Sequence, residues 1–201
     1  YPALTADGAV SLLVIGGSQG AHVFSGVVPD ALGRLDEGLR ARVRVSQQCR
    51  PEDLDQTRDH YQKLSIDADL EIFFDDLPER LAGAHLLIGR AGASTVAETL
   101  AVGLPSILVP YPFAIDDHQT RSAHAIEEAG AGWLMLEESF TCGNLAARLD
   151  SLLGLPAILE KAAECAKAAG THDASERLAD MVCRLLPANG ADGPGTERRA
   201  A

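Results

Sequence analysis

Apolar and polar positions along the chain follow two alternating patterns. Six short, β-rich runs stand out: Val10 to Ile15, Val43 to Ser46, Leu70 to Phe74, Leu86 to Ile88, Ile107 to Val109 and Trp133 to Leu136. Several close at a turn residue, as at Gly16-Gly17, Gly89 and Pro110. Short runs of this kind suit strands buried on both faces of a parallel sheet. Between them the spacing predicts helices over Glu52–Leu64, Ser94–Ala101, Asp117–Ala129, Leu145–Leu153, Ala157–Ala169 and Ala174–Leu186. Pro51 precedes the first of these, and Gly103 and Gly130 stop the second and third. A further helix is expected after Gly16-Gly17. Strand-helix alternation at this spacing predicts an α/β fold, a Rossmann-like doubly wound parallel sheet of about six strands.

Composition narrows the function. The chain has 201 residues, 46% apolar and 23% charged, as an ordinary globular chain does. Lys plus Arg number 17 against 29 Asp plus Glu, a net charge of -12. A nucleic-acid binder needs clustered basic residues to neutralise phosphates, so no nucleic-acid partner is expected. Five Phe, three Tyr and one Trp are too few for a base-stacking platform. No apolar run approaches the roughly 20 residues that span a bilayer, and Tyr1 to Gly8 does not read as a signal peptide. The first residue is Tyr, so further chain upstream is expected. Cys49, Cys142, Cys165 and Cys183 are widely spaced with no Cys-x-x-Cys pair, which fits reduced thiols and a cytoplasmic setting. The tail from Pro187 to Ala201 is rich in Gly, Ala and charge and is expected to be disordered.

Open α/β sheets bind ligands at the carboxyl ends of their strands, so the strand-to-helix junctions are the candidate sites. Gly16-Gly17-Ser18-Gln19-Gly20 follows the first strand. Glycines there let backbone approach a ligand, and the following helix offers unpaired N–H groups to an anion. The same residues fit the Gly-x-Ser-x-Gly elbow of serine hydrolases, or a plain tight turn. Gly89-Arg90-Ala91-Gly92-Ala93-Ser94-Thr95 leads into a helix carrying Glu98. Glu98 is either a capping-box or helix-dipole partner or an acceptor for a sugar diol; capping is the plainer reading. Pro110 to Gln119 forms an extended loop in which Asp116 or Asp117 caps a helix that begins with His118 and Gln119. Asp75-Asp76 reads as an N-cap rather than a metal site, because adjacent strand residues point to opposite faces. No metal-ligand cluster is expected. Together these junctions suit a negatively charged ligand held mainly by backbone amides, with Arg90 and Arg121 as nearby cations.

Four motifs occur in order: Gly16-Gly17-Ser18-Gln19-Gly20-Ala21, Phe74-Asp75-Asp76-Leu77, Arg90 through Glu98, and Val109-Pro110-Tyr111-Pro112 with Asp117-His118-Gln119-Thr120. On these the chain resembles the donor-binding, C-terminal half of the MurG family of peptidoglycan N-acetylglucosaminyltransferases, over roughly residues 10 to 186. The resemblance implies one half of a GT-B glycosyltransferase, an inverting enzyme that moves N-acetylglucosamine from UDP-GlcNAc to lipid I to form lipid II in cell-wall synthesis. It implies donor contacts from Gly17, Ser18, Gln19 and Gly20 to the diphosphate, and from Phe74 and Leu77 around the uracil. Arg90, Gly92, Ala93, Ser94 and Thr95 would lie at sugar and phosphate, Glu98 on the ribose, and His118 and Gln119 on the sugar hydroxyls and the diphosphate. His22 stands where many relatives carry Arg or Lys. UDP-GlcNAc is then a substrate and no cofactor is implied. Residues 1–9 would be a linker from an N-terminal domain that supplies the catalytic base, the lipid I site and membrane contact at the cytoplasmic face of the inner membrane. No catalytic residue is expected in this half, and the chain alone is expected to bind donor without turnover. Two alternatives remain: a serine hydrolase using Ser18 with Asp117 and His172, or a non-catalytic nucleotide-sugar module.

Overall fold

The computed structural model describes residues 1–185 except Ala6, Ser18, Gln19, Gly20 and His172. Residues 1–170 belong to one compact unit and the described residues from Thr171 on to a second. The chain runs β1 (Val10–Ile15), α1 (His22–Gly33), α2 (Glu37–Arg42), β2 (Val43–Gln48), α3 (Leu54–Lys63), β3 (Asp67–Glu71) and α4 (Leu77–Gly83). It continues with β4 (Leu86–Gly89), α5 (Ala93–Val102), β5 (Ser106–Leu108), α6 (His118–Glu128), β6 (Gly132–Leu134), α7 (Cys142–Gly154), α8 (Pro156–Ala169) and α9 (Ala174–Leu185). All six strands pair in parallel in the order β3-β2-β1-β4-β5-β6. This is the doubly wound sheet expected from the sequence.

The period of two along β1 builds a core on each face. Val10, Leu12 and Val14 pack with Phe24, Val28 and Leu32 of α1, Tyr61 of α3 and Leu145 and Leu149 of α7. Leu13 and Ile15 face the other way, against Leu81 of α4, Ala123 and Ile126 of α6 and Ala166 of α8. Burial on both sides, with only Ser11 partly exposed, is why β1 carries no charge. Several helix ends follow local chemistry. Gly103 ends α5 at φ 73°, with its N–H bonded to Leu100 O and Thr99 O. Thr141 accepts from Asn144 N to start α7, and Pro156 opens α8.

Three local expectations are corrected. The third strand lies at Asp67–Glu71, not Leu70–Phe74. It is an edge strand with Leu70 its one buried residue, and the apolar residues Ile72 and Phe73 that follow it are exposed. Asp76 sits at the N-cap of α4 but makes no cap bond; its carboxylate accepts from Arg80 Nε at 2.7 Å, and that guanidinium holds it below the usual carboxylate range. Asp117 is the N-cap residue of α6 and also makes no side-chain cap bond. Asp116 and Asp117 have φ 51° and 50°, the left-handed region that Asp tolerates better than most residues. In the second unit, α9 carries Leu178, Met181, Val182 and Leu185 as one exposed apolar stripe. The expected tail at 187–201 lies outside the described residues. No helix among the described residues is long and apolar enough to cross a membrane.

Gly132 is where β6 presses closest on β5: a Cβ there would collide with the Ser106 carbonyl oxygen. Gly132→Ala is expected to destabilise the fold by about 1–3 kcal/mol, the usual cost of overpacking. An unchanged urea midpoint would show that β5 and β6 separate freely.

Candidate functional site

The carboxyl ends of all six strands open on one cleft of about 1040 Å³. After β1 come Gly16 and Gly17, the latter at φ 81°, where only glycine is unstrained. After β2 come Gln48 and Arg50, and after β3 come Phe73, Phe74 and Leu77. The β4 end supplies Arg90, Gly92, Ala93, Ser94, Thr95 and Glu98. Tyr111 follows β5, with Gln119 of α6 beside it, and Glu137 follows β6.

Among the helices whose starts meet this cleft, α1 and α5 bring theirs from the two central strands β1 and β4. The N-cap residues are Ala21 for α1 and Gly92 for α5, and neither helix start has a side-chain cap bond. Phe24 N–H is taken by Ala21 O, but the N–H groups of His22 and Val23 in α1 and of Ala93, Ser94 and Thr95 in α5 have no partner among the described residues, at the positive end of each helix dipole. Gly92 and Ala93 have no polar side chain to compete for those groups. The arrangement suits an anion held by backbone.

Glu98 is the sixth residue of α5, three positions past the place a capping box requires. It is exposed and lines the cleft. The capping reading therefore fails on position, and a diol acceptor fits.

Other side chains shape the cleft through protein contacts. Gln48 Nε2 donates to Ile72 O at 3.2 Å, which ties the segment before Phe73 to β2. Arg80 lies over the Phe74 ring, 4.1 Å from its centre, and also bonds Asp69 and Ser46. Gln119 Oε1 accepts from Tyr111 N at 3.0 Å, so its NH₂ group remains to donate. Arg90 is 11% exposed. Its Nη1 donates to Val109 O and Pro110 O at 3.2 and 3.1 Å. The same nitrogen lies 2.5 Å from Glu137 Oε2, a buried oxygen with no aligned hydrogen bond, so the contact is an ion pair without hydrogen-bond geometry. The guanidinium also lies 5.4 Å from the Phe24 and Tyr111 ring centres. Arg90 thus lines the cleft while tying the β4, β5 and β6 ends together.

Ten of the expected site residues line this one cleft: Gly17, Phe74, Leu77, Arg90, Gly92, Ala93, Ser94, Thr95, Glu98 and Gln119. Ser18, Gln19 and Gly20 lie outside the described residues. His118, exposed at the start of α6, is not among the lining residues. Sequence reasoning did not assign Gln48, Arg50, Phe73, Tyr111 and Glu137 to the site, and it noted His22 only as a departure within the first motif. Apart from Tyr111, which lay within a loop already singled out, each belonged to a junction read for other residues or not read at all. Among the described residues no group of three or more His, Cys, Asp or Glu side chains could hold a metal ion.

Residues 11–178 match the glycosyltransferase family 28 C-terminal domain. The chain belongs to this family. Among curated relatives, the UDP-N-acetylglucosamine–N-acetylmuramyl-(pentapeptide) pyrophosphoryl-undecaprenol N-acetylglucosamine transferase of Paramagnetospirillum magneticum is 58% identical over 187 residues, 93% of this chain and 50% of that protein. The transferase of the same name from Rhodospirillum rubrum is 56% identical, over 85% of this chain and 44% of that protein. The chain therefore spans about half the length of these relatives. Among solved structures, MurG of Acinetobacter baumannii superposes with a TM-score of 0.82 at 27% identity, covering 92% of this chain and 55% of that one. The UDP-GlcNAc 2-epimerase of Neisseria meningitidis shares the fold alone, with a TM-score of 0.59 at 14% identity. The family 28 match sets aside the serine-hydrolase alternative; two of its three residues, Ser18 and His172, lie outside the described residues.

The Arg90–Glu137 pair yields a stability prediction for the family 28 domain. Arg90→Met should cost about 1–3 kcal/mol, since it leaves a partly buried carboxylate unpaired. Arg90→Met with Glu137→Leu should recover most of that loss. Denaturant unfolding of the two variants checks it; equal losses would show that the guanidinium acts through Val109 and Pro110 alone.

Proposed function

We propose that this chain is the UDP-GlcNAc-binding half of an inverting N-acetylglucosaminyltransferase that converts lipid I to lipid II in peptidoglycan synthesis. The observation that carries the reading is the cleft, where two uncapped helix N-termini and a free-standing Glu98 converge. The names and extent of the curated relatives supply the sugar and the acceptor. In this reading the first-turn amides of α1 and α5 hold the diphosphate, with Gly17 and the loop residues Ser18, Gln19 and Gly20 beside it. Glu98 accepts from the ribose hydroxyls. Phe74 and Leu77 border the uracil, and Gln119 with His118 reaches the sugar.

The chemistry follows from the same groups. Transfer breaks the bond between the anomeric carbon and the diphosphate, and negative charge grows on the departing UDP. Amides fixed at helix starts stabilise that charge without reorganising. The base that takes the acceptor proton, the lipid I site and a membrane-contacting surface are assigned to the part of the relatives that this chain does not span. The complete protein then works as a peripheral protein at the cytoplasmic face of the inner membrane. A non-catalytic nucleotide-sugar module would share this cleft, and the transferase names of the relatives favour the enzyme.

Calorimetric titration with UDP-GlcNAc, UDP-glucose and ADP-glucose tests the reading. Saturable binding selective for UDP-GlcNAc is expected, and no binding of any of the three would overturn it. Transfer of sugar to lipid I by the chain alone would contradict the division of labour. Glu98→Ala should weaken UDP-GlcNAc binding at least about tenfold, because charge-assisted hydrogen bonds are worth roughly 1.5–3 kcal/mol each. The melting temperature should hold, since the side chain is exposed and caps nothing. An unchanged dissociation constant would remove Glu98 from the ribose site.

A further inference from the structure

His22 opens α1 at the wall of the cleft, and its Nδ1 lies 2.7 Å from Asp53 Oδ1. The partners are unequally placed: the His22 side chain is 74% exposed and that of Asp53 8%. Asp53 occupies the N-cap position of α3, yet its carboxylate makes no cap bond there. Its second oxygen, Oδ2, is buried with no hydrogen-bond partner. A carboxylate withdrawn from water requires a charged or hydrogen-bonding partner. Here it has passed over the adjacent helix start and taken an imidazole from another element. An exposed ring gains little from packing, so the contact does more for ring orientation than for core burial.

We propose that Asp53 and His22 form a positioning pair for the donor's diphosphate, with Asp53 turning the His22 ring so that Nε2–H donates to a phosphate oxygen. The inference rests on the donor-binding reading above and adds to it a side-chain contact. A carboxylate only accepts, so Nδ1–H donates to Asp53, which fixes the ring plane as carboxylates do for functional histidines. Nε2 then lies on the far side of the ring, with no protein partner among the described residues. A ring that donates at both nitrogens is the imidazolium. The other cleft cations are differently occupied. Arg90 is held by two carbonyls and Glu137, and Arg50 Nε lies 3.3 Å from Glu52. His22 also belongs to the first turn of α1, so its side chain and the amides of that turn can meet one anion together.

The test compares UDP with uridine, two ligands that differ by the diphosphate, on the full chain. His22→Gln should weaken UDP about ten- to hundredfold, the worth of one charge-assisted hydrogen bond, and leave uridine binding unchanged. Asp53→Asn keeps the size of the side chain and an acceptor for Nδ1–H but removes the charge; it should weaken UDP to a smaller degree and again spare uridine. Unchanged UDP affinity in His22→Gln overturns the proposal, and equal losses on UDP and uridine overturn it in favour of a structural role. Full UDP affinity in Asp53→Asn removes the positioning role of Asp53. Should Asp53→Asn fail to fold, the exposed His22→Gln variant decides alone. If the wild-type chain binds neither UDP nor uridine, the donor-binding reading falls first and this inference with it. Wild-type binding with an unaffected His22→Gln variant sinks the inference only.

Discussion

In a parallel sheet the chain must return to the same edge before each new strand, so all carboxyl ends lie together at the other edge. Every strand-to-helix junction of this protein therefore faces one side, and six junctions meet in one cleft. The polar groups of the cleft follow from that constraint. Helices that start at the strand ends bring their unpaired N–H groups with them, and the strand order changes direction between β1 and β4, beside α1 and α5. The stability of the sheet and the geometry of the site are one property here: apolar residues of β1 hold both faces together while its last residue, Ile15, borders the cleft.

For a chain with net charge -12 the proposed anionic donor needs a local answer to the chain's own field. The cleft supplies it mainly with backbone rather than with lysine. Its arginines are turned to protein partners, Arg90 to Glu137 and Arg50 to Glu52. Helix amides have the advantage that they are already oriented and carry no side-chain entropy to lose. In the proposed transferase that balance suits a ligand that must bind, react and leave, because a site crowded with free cations would hold a nucleoside diphosphate product too tightly.

Much of the fold was legible because parallel strands buried on both faces leave an apolar run that no surface element imitates. Val10–Ile15 is identical in sequence and structure. The third strand was misplaced for a physical reason. At the sheet edge Asp67–Glu71 has little to bury, whereas Ile72 and Phe73 are apolar beside a cleft. Apolar character there marks a surface next to a ligand site and not a core. Caps were read too readily. Asp76 and Asp117 stand at helix starts, but Arg80 draws the first into an ion pair and the second has a left-handed backbone. Glu98 went the other way: the sequence suggested a capping box, and only the true start of α5 at Ala93 showed it to be three residues too late. His22, Asp53 and Glu137 were not legible as partners. Their pairings, His22 with Asp53 and Arg90 with Glu137, span 31 and 47 residues and exist only once the sheet is formed.

The claim that carries the rest is that backbone amides at the starts of α1 and α5 hold the donor's diphosphate. A crystal structure of the chain with UDP-GlcNAc tests it most directly. The account predicts the diphosphate against the first-turn N–H groups of both helices, with the ribose on Glu98. A diphosphate seated away from those helix starts, on surface arginines or in the groove beside Trp133 and Lys161, would contradict it.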